Sequence, residues 1–308
     1  MVAGLVGVIA VFVVAIYAWP LREKALGKQP YVDMSYEQAV SRANAIAQSE
    51  AVENSPIDTD CRSILKLHGS KTAKSVVLFH GYTGCPKQFK ELANVLYDQG
   101  YNVYVPLAPK HGIFTGRIIP ERRDLIAYAN ESISIGKALG MSNGVIGISG
   151  GAVLAQWAAM YRPDAAQKLM IMSPFYEPSV AQAPKWQIKP LLTLIGQWRL
   201  ADVNQGDYAT YHGLSQYLLI AKNYPSTPIS TPSTVILSDA DPDIDLPLAK
   251  SFSAQLLSGR TLYYVPATWK VKHDIASATE LKEFTGQAAS DYARLYDGLM
   301  PEYLEQQH

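Results

Sequence analysis

The segment from Asn143 to Ala155 (NGVIGISGGAVLA) constrains the fold of this chain more than any other. An apolar run with β-branched residues leads into Gly147-Ile148-Ser149-Gly150-Gly151, and an alanine-rich, helix-like stretch follows. This is the G-x-S-x-G pattern, in which a tight strand-to-helix turn holds a serine hydroxyl above the sheet. Glycine on both sides allows strand and helix to cross closely, and the helix directs its first amides at the hydroxyl. An ordinary glycine-rich turn of an α/β protein gives the same pattern, so the rest of the chain has to decide between the two.

The composition indicates one large α/β domain with an insertion. The chain has 308 residues, of which 48% are apolar, and this is enough for a substantial core. Lys and Arg number 27, as do Asp and Glu, so the formal net charge is zero. Because no global field attracts a polyanion, we expect no nucleic-acid partner.

The N-terminus predicts a membrane anchor. The run from Val2 to Trp19 carries no charged and no strongly polar side chain, and Pro20 ends it. As a helix this run would be roughly 27 Å long, close to the hydrocarbon thickness of a bilayer. A signal peptide would have a basic start and a shorter apolar run before a cleavage site. We therefore expect residues 1–28 to form a single-pass membrane anchor and linker.

Two signals disagree about the side of the membrane. The basic residues after the run, Arg22, Lys24 and Lys28, favour the cytoplasmic face by the positive-inside rule. A disulfide between Cys61 and Cys85, which flank the first strong strand pattern, would favour the exported, oxidising side. Two reduced core cysteines are an equal alternative, so the side stays open.

Strand and helix patterns then alternate along the chain. Strands are predicted over 63–67, 75–79, 102–105, 144–148, 168–172, 234–237 and 262–265, and helices over 36–47, 89–97, 121–139 and 246–257. Alternation of this kind predicts a mostly parallel sheet with helices on both faces. It lapses between Pro174 and Pro232, a segment with short helical patterns whose aromatic residues include Trp186, Trp198, Tyr208, Tyr211, Tyr217 and Tyr224. We predict a small helical cap over about residues 175–232 of a domain spanning 29–308, the alternative being a pair of ordinary surface helices.

The order of these motifs resembles the α/β-hydrolase fold, and within it the bacterial carboxylesterases and monoacylglycerol lipases with a small helical cap. The resemblance covers roughly residues 60–300. The matching residues are His80-Gly81-Tyr82-Thr83-Gly84, Pro109-Lys110-His111-Gly112, Gly147–Gly151, Asp241-Pro242 and His273.

The resemblance implies a catalytic triad in the order serine, acid, histidine, with Ser149 as the nucleophile. Of the six histidines only His273 and His308 follow the candidate acid, and His308 is the terminal residue. His273 is therefore the expected base, which takes the serine proton and later returns it to the leaving group.

The acid has more than one candidate. Asp241 falls on the aspartate of the G-x-x-D pattern common in the family, but Ser238 stands where the glycine is usual. The register therefore leaves Asp239 and Asp243 open as alternatives. The cluster lacks the glycine and the distal glutamate of an EF-hand loop, so we expect no metal and no cofactor.

An oxyanion hole needs two backbone N–H groups. The resemblance implies the N–H of Gly150, which follows the nucleophile, and that of Tyr82. The Tyr82 side chain and Ile148 are expected to line the substrate pocket, whereas His80 and His111 are expected to be structural.

These features imply a serine hydrolase that cleaves carboxylic esters through an acyl-enzyme on Ser149. The expected substrates are small-molecule esters or lipids, with a short or medium acyl chain or a monoacylglycerol-like structure. The same three residues would serve an acyltransferase, a thioesterase or a peptidase, and a few such folds only bind ligands. These alternatives remain open from the sequence.

Overall fold

The structure of the protein is a computed structural model. It describes residues 2–27, 29–52, 57–112, 117, 119–200, 204–205, 209–258, 260–276, 288–298 and 305–307. Tyr208 of the predicted cap and His308 lie outside the described residues, as do parts of the segments predicted as linker and cap.

A mostly parallel sheet forms the centre of the fold. Its strands and those of a small hairpin are β1 (Ile64–Lys66), β2 (Thr72–Phe79), β3 (Tyr101–Val105), β4 (Gly140–Ile148), β5 (Leu169–Met172), β6 (Asn204–Gln205), β7 (Ala209–Thr210), β8 (Ser233–Ser238), β9 (Arg260–Val265) and β10 (Glu305–Gln307). Within the described residues the main sheet has the order β1-β3-β2-β4-β5-β8-β9-β10, and β6 pairs with β7. The outer strands β1 and β10 are antiparallel to their neighbours and the six between them are parallel. The predicted sheet is therefore confirmed.

The described helices are α1 (Val2–Ala18), α2 (Tyr36–Val52), α3 (Lys90–Asp98), α4 (Arg122–Leu139), α5 (Gly150–Tyr161), α6 (Lys185–Pro190), α7 (Tyr211–Lys222), α8 (Leu246–Leu256) and α9 (Ala288–Asp297). A π-helical segment, Leu191–Gln197, continues α6. The capping box before α2 forms: Gln38 Oε1 accepts from the Ser35 N–H at 2.8 Å, and Ser35 Oγ accepts from the Gln38 N–H at 3.3 Å.

The core lies on both faces of the sheet. Neighbouring residues of β4 show this, since Val145 belongs to the apolar cluster under α4 and α5, whereas Ile146 belongs to the one under α3 and α9. Side chains alternate along a strand, so a strand with helices on both faces must be apolar throughout. This burial fixes the position of β4 in the sheet, and therefore the position of Ser149, which follows the strand directly.

Cys61 and Cys85 form a disulfide with their Cα atoms 5.2 Å apart. The sequence left this pairing open. The bond joins the turn before β1 to the residue directly after the His80–Gly84 loop.

The predicted single-pass anchor is wrong. The apolar N-terminal run forms α1, a helix of 17 residues. In the part of the chain that the structure describes, no helix is both long and apolar enough to cross a membrane. A helix of this length rises only about 26 Å, less than the ~30 Å hydrocarbon core. Contacts of α1 include its Phe12 ring against Trp198 and the Tyr17 hydroxyl, which donates to the Trp186 carbonyl oxygen.

The insertion, residues 175–232, separates β5 from β8 and contains α6, the π-helical segment, the β6–β7 hairpin and α7. Helix α7 packs on α5, the helix that follows Ser149. The insertion therefore contacts the helix that begins directly after Ser149.

Candidate active site

The turn between β4 and α5 holds Ser149 in a strained conformation. Its φ of +55° is in the left-handed region, which is costly for a residue with a side chain. The flanking glycines make the turn sterically feasible. A Cβ at position 147 would lie 2.3 Å from the Gly151 carbonyl oxygen, and a Cβ at position 151 would lie 2.0 Å from the Phe79 carbonyl oxygen. Only glycine therefore fits at positions 147 and 151.

The structure brings Ser149, His273 and Asp241 into one hydrogen-bonded chain. His273 Nε2 lies 2.7 Å from Ser149 Oγ, and His273 Nδ1 lies 2.8 Å from Asp241 Oδ2. Because ionised Asp241 can only accept, Nδ1 carries the proton and Nε2 is left to accept from the serine hydroxyl. The Asp241 side chain is 0% exposed and that of His273 is 19% exposed. This arrangement can move a proton from the serine to the histidine.

The three candidate aspartates have different environments. Asp241 contacts His273, and its other oxygen, Oδ1, accepts the Asp243 N–H at 2.9 Å. The Asp243 side chain accepts instead from Gln182 of the insertion, and Asp239 is exposed. Of the three aspartates that the sequence left open as the acid, Asp241 is therefore the one next to the imidazole.

Ser238, which stands where the family usually has glycine, has a partner of its own. Its buried hydroxyl donates to the Val271 carbonyl oxygen and accepts the Ala240 N–H at 3.3 Å. The end of β8, which carries Asp241, is thereby joined to the loop that carries His273. A glycine could not make this bond.

The protonation of the pair is set by opposing influences. Burial alone would raise the pKa of Asp241, but the hydrogen bond and the positive charge of His273 lower it below its ordinary value. Burial alone would lower the pKa of His273, but the hydrogen bond and charge of Asp241 raise it above its ordinary value. The site therefore favours an ionised aspartate beside a histidine that protonates readily.

The backbone positions expected to form the oxyanion hole lie on both sides of Ser149. Gly150 is the first residue of α5, and a Cβ there would lie 2.9 Å from the Tyr217 ring. The His80–Gly84 loop passes close to the serine, since a Cβ on Gly81 would lie 3.5 Å from Ser149 Cβ. Both segments therefore lie next to Ser149.

The side chain of Tyr82 connects the loop to the insertion. Its hydroxyl accepts the Thr210 N–H at 2.8 Å and donates to the Thr210 carbonyl oxygen at 2.9 Å. Its ring centroid lies 5.5 Å from that of Tyr217 and 5.8 Å from that of His111. Ile148, the other residue expected in the pocket, is fully buried in the apolar cluster under α3 and α9.

His80 and His111 lie fully buried behind the loop. His80 Nε2 accepts the Ala108 N–H at 3.0 Å, so its Nδ1 carries the proton and donates to the Gly81 carbonyl oxygen at 2.9 Å. Burial lowers the pKa of His80 to about 3 and that of His111 to about 4. Both rings are neutral at physiological pH and bond to the backbone of the loops.

Phe175 contacts Ser149 and His273, and the sequence did not lead us to expect it in the site. Its N–H donates to the Ser149 carbonyl oxygen at 3.2 Å, and its ring centroid lies 6.2 Å from that of His273. Its position directly after β5, the strand beside the serine strand, was the available signal, because residues after adjacent parallel strands meet at one edge.

The first residues of the insertion pair with the loop that carries Asp241. The Ser179 N–H donates to the Asp243 carbonyl oxygen at 2.8 Å, and the Asp245 N–H donates to the Glu177 carbonyl oxygen at 3.0 Å. Lys185 of α6 adds an ion pair with Glu177 at 2.9 Å. This short ladder holds the insertion against the aspartate loop.

Within the described residues, potential metal ligands come together at Asp241, Asp243 and His273, whose ligand atoms lie within 4.8 Å of one another. Both ring nitrogens of His273 already have partners in Asp241 and Ser149. A metal ion here would have to replace those hydrogen bonds.

Comparison with known proteins gives structural neighbours only. No protein-family model matches the sequence, and no curated protein matches it. The structure is similar to one of two metagenome-derived lipolytic enzymes, with 14% identity and a TM-score of 0.59 over 79% of this chain and 100% of that one. A soluble variant of monoglyceride lipase from Saccharomyces cerevisiae shares 14% identity and a TM-score of 0.58 over 78% and 92% of the two chains. The monoacylglycerol lipase of Paleococcus ferrophilus shares 18% identity and a TM-score of 0.60 over 76% and 98%.

At these identities the likeness concerns the fold. The α/β-hydrolase fold has a mostly parallel sheet with the nucleophile on a turn between a strand and a helix. This structure has both features, with Ser149 between β4 and α5. The chain therefore has the α/β-hydrolase fold, which confirms the predicted fold.

Proposed function

We propose that this protein is a serine hydrolase that cleaves carboxylic esters with a short or medium acyl chain, or monoacylglycerol-like lipids. The observation that carries the proposal is the hydrogen-bonded chain from Ser149 through His273 to buried Asp241, at 2.7 and 2.8 Å. It lies on a strained turn whose φ of +55° holds the serine at the start of a helix. The lipolytic activities of the structural neighbours are consistent with this function.

In the proposed reaction, His273 Nε2 takes the proton of Ser149 as Oγ forms a bond to the ester carbonyl carbon. The carbonyl oxygen becomes an oxyanion, which accepts from the N–H groups of Tyr82 and Gly150. Collapse of this intermediate breaks the bond to the leaving oxygen, and His273 protonates the departing alcohol. Water then repeats both steps on the acyl-enzyme and releases the carboxylic acid. Asp241 holds the imidazole in place and stabilises its charged form.

We further propose that the insertion acts as a cap over this site. The supporting observations are that α7 packs on α5 and that Tyr217 lies over Gly150, beside the ring of Tyr82. Such a wall of aromatic rings suits an apolar acyl chain, since the expected ligand surface is apolar with few polar groups.

The test is hydrolysis of p-nitrophenyl esters from acetate to palmitate by the full chain, with the Ser149→Ala variant as control. We expect turnover with an optimum at short or medium chains, and a loss of at least about 10³-fold in Ser149→Ala. A fluorophosphonate probe, followed by peptide mass spectrometry, should place the adduct on Ser149.

The two readouts separate the alternatives. Labelling of Ser149 without ester turnover would redirect the proposal to thioesters, amides or acyl transfer. Absence of both labelling and turnover in a folded protein would overturn the hydrolase and favour a binding role. Near-wild-type turnover by Ser149→Ala would exclude Ser149 as the nucleophile.

A further inference from the structure

One side chain outside the Ser149–His273–Asp241 chain joins the two loops that the proposed reaction needs. Gln88 lies in the short turn Pro86–Phe89 that precedes α3. Its Oε1 accepts the Gly81 N–H at 2.9 Å, and its Nε2 donates to Asp274 Oδ1 at 2.8 Å. Gly81 belongs to the loop expected to supply an oxyanion donor, and Asp274 follows His273 directly.

At the first end, Gln88 completes the restraint of Gly81. The Gly81 carbonyl oxygen accepts from the Gly84 N–H at 3.0 Å and from His80 Nδ1 at 2.9 Å. This carbonyl and the Tyr82 N–H belong to the same planar peptide, so fixing one fixes the direction of the other. Gln88 holds the N–H on the preceding side of Gly81. Both peptide groups of Gly81 are therefore bound.

At the second end, Gln88 acts on the His273 loop. Asp274 is the neighbour of the imidazole, and its charge contributes to raising the pKa of His273, after the larger effects of burial, which lowers it, and of Asp241 and Asp243. The Ile275 N–H donates to the His273 carbonyl oxygen at 2.9 Å, so the loop turns sharply at this point. A bond to Asp274 therefore restrains the residue that carries the base.

We propose that Gln88 is a positioning residue that sets the Tyr82 N–H and the His273 imidazole at a fixed spacing around Ser149. The inference rests on the proposed ester hydrolysis. A carboxamide suits the role because one atom must accept from an N–H and another must donate to a carboxylate. A glutamate in its place would repel Asp274, and an alanine would leave both loops without the connection.

The experiment measures kcat and KM for p-nitrophenyl butyrate with the full chain and four variants: Gln88→Ala, Gln88→Glu, Asp274→Asn and the double variant Gln88→Glu/Asp274→Asn. We expect Gln88→Ala to lower kcat about 10- to 100-fold while KM changes less than about twofold. The reason is that the variant disturbs the positions of the groups that stabilise the transition state, whereas the residues that bind the substrate are unchanged. Gln88→Glu should lower kcat by a similar factor.

The double variant provides the decisive comparison. The asparagine amide introduced at position 274 can donate to the carboxylate introduced at position 88, and that carboxylate still accepts the Gly81 N–H. The connection is then restored with its polarity reversed, and we expect kcat to return to within about threefold of Asp274→Asn alone. Lys87→Ala is the matched control in the same turn, since Lys87 is exposed and pairs with Asp60 at 2.9 Å, and its kcat should match wild type.

A second readout addresses the oxyanion directly. A trifluoromethyl ketone forms a hemiketal anion on a nucleophilic serine, so its Ki should rise in Gln88→Ala by about the factor that kcat falls. Unchanged kcat in Gln88→Ala, or a double variant no better than Gln88→Glu, would overturn the inference while leaving the proposed function intact. Failure of the proposed function would appear separately, as absent turnover by the wild-type chain.

Discussion

At the scale of single residues, the charge of Asp241 decides how His273 behaves with pH. Burial lowers the pKa of His273, and the hydrogen bond and charge of Asp241 raise it above its ordinary value of 6.5. The base works only when neutral, so kcat/KM for an ester should rise with pH along a limb whose apparent pKa exceeds 6.5.

Asp241→Asn should shift that limb to lower pH and reduce kcat by about 10³- to 10⁴-fold, because the neutral amide neither stabilises the charged imidazole nor orients the ring in the same way. The measurement is a pH–rate profile of both proteins. Asp239→Asn is the matched control, since Asp239 is exposed, and its profile should overlay the wild type. An unshifted limb in Asp241→Asn would contradict the assignment of the acid.

The hydroxyl of Tyr82 should contribute to stability through its two hydrogen bonds. Tyr82→Phe keeps the ring against Tyr217 and removes both hydrogen bonds to the backbone of Thr210. Loss of these buried bonds should lower the free energy of unfolding by about 1–3 kcal/mol, measured by urea denaturation. Tyr97→Phe is the control, because among the described residues that hydroxyl donates only a long bond of 3.4 Å to the Leu67 carbonyl oxygen, and its loss should change stability little.

The sequence predicted an active-site residue well where the chain offered few candidates for its role. His273 followed by elimination, since few histidines come after the acid in sequence. The acid did not, because Asp239, Asp241 and Asp243 lie within one short loop whose path the sequence does not give. Gln88 gave no signal in the spacing, since its role depends on contacts with loops distant in sequence. Phe175 gave only a general one, its place just after the strand beside the serine strand.

At the scale of elements, the turn between β4 and α5 should tolerate no side chain at position 151. In Gly151→Ala the new Cβ would lie 2.0 Å from the Phe79 carbonyl oxygen. Since backbone atoms cannot yield as a flexible side chain does, we expect a loss of about 3 kcal/mol or more in the free energy of unfolding, or failure to fold.

Thermal unfolding monitored by circular dichroism measures this effect. Gly7→Ala is the control, because no neighbouring atom of the described residues lies within 4 Å of a Cβ at that helical position, and alanine should be neutral or slightly stabilising there. A Gly151→Ala variant as stable as wild type would show that the strand and the helix can separate without cost.

Elements with a strong local pattern were predicted well. Strands β2 to β5, β8 and β9 were found because residues buried on both faces give apolar runs, whereas the edge strand β10 was not predicted. The prediction from the apolar run at the N-terminus failed, because it took the run to Trp19 as long enough to span a bilayer, whereas the helix covers the 17 residues Val2–Ala18. Helix α9 was not predicted because it follows the last motif that the sequence analysis used.

At the scale of the whole molecule, the Cys61–Cys85 disulfide closes a loop with a sequence separation of 24 residues. Replacing both cysteines by serine should lower the free energy of unfolding by about 2–4 kcal/mol, because the unfolded chain regains the freedom of that loop. Denaturant unfolding of the oxidised wild type and the double variant measures the difference. A single serine variant serves as a second reference, and wild type treated with reductant should approach the double variant.

The ladder between Glu177–Ser179 and Asp243–Asp245 limits how this protein could be recombined with its structural neighbours. The insertion looks like a separable module, and exchanging it is an obvious way to alter substrate preference. Its first residues, however, are hydrogen-bonded to the loop that presents Asp241. A chimera joined before Glu177 would therefore import a foreign support for the acid, whereas one joined after Lys185 would retain the native ladder. The useful boundary for domain exchange therefore lies inside the insertion, after Lys185, and not at the end of β5.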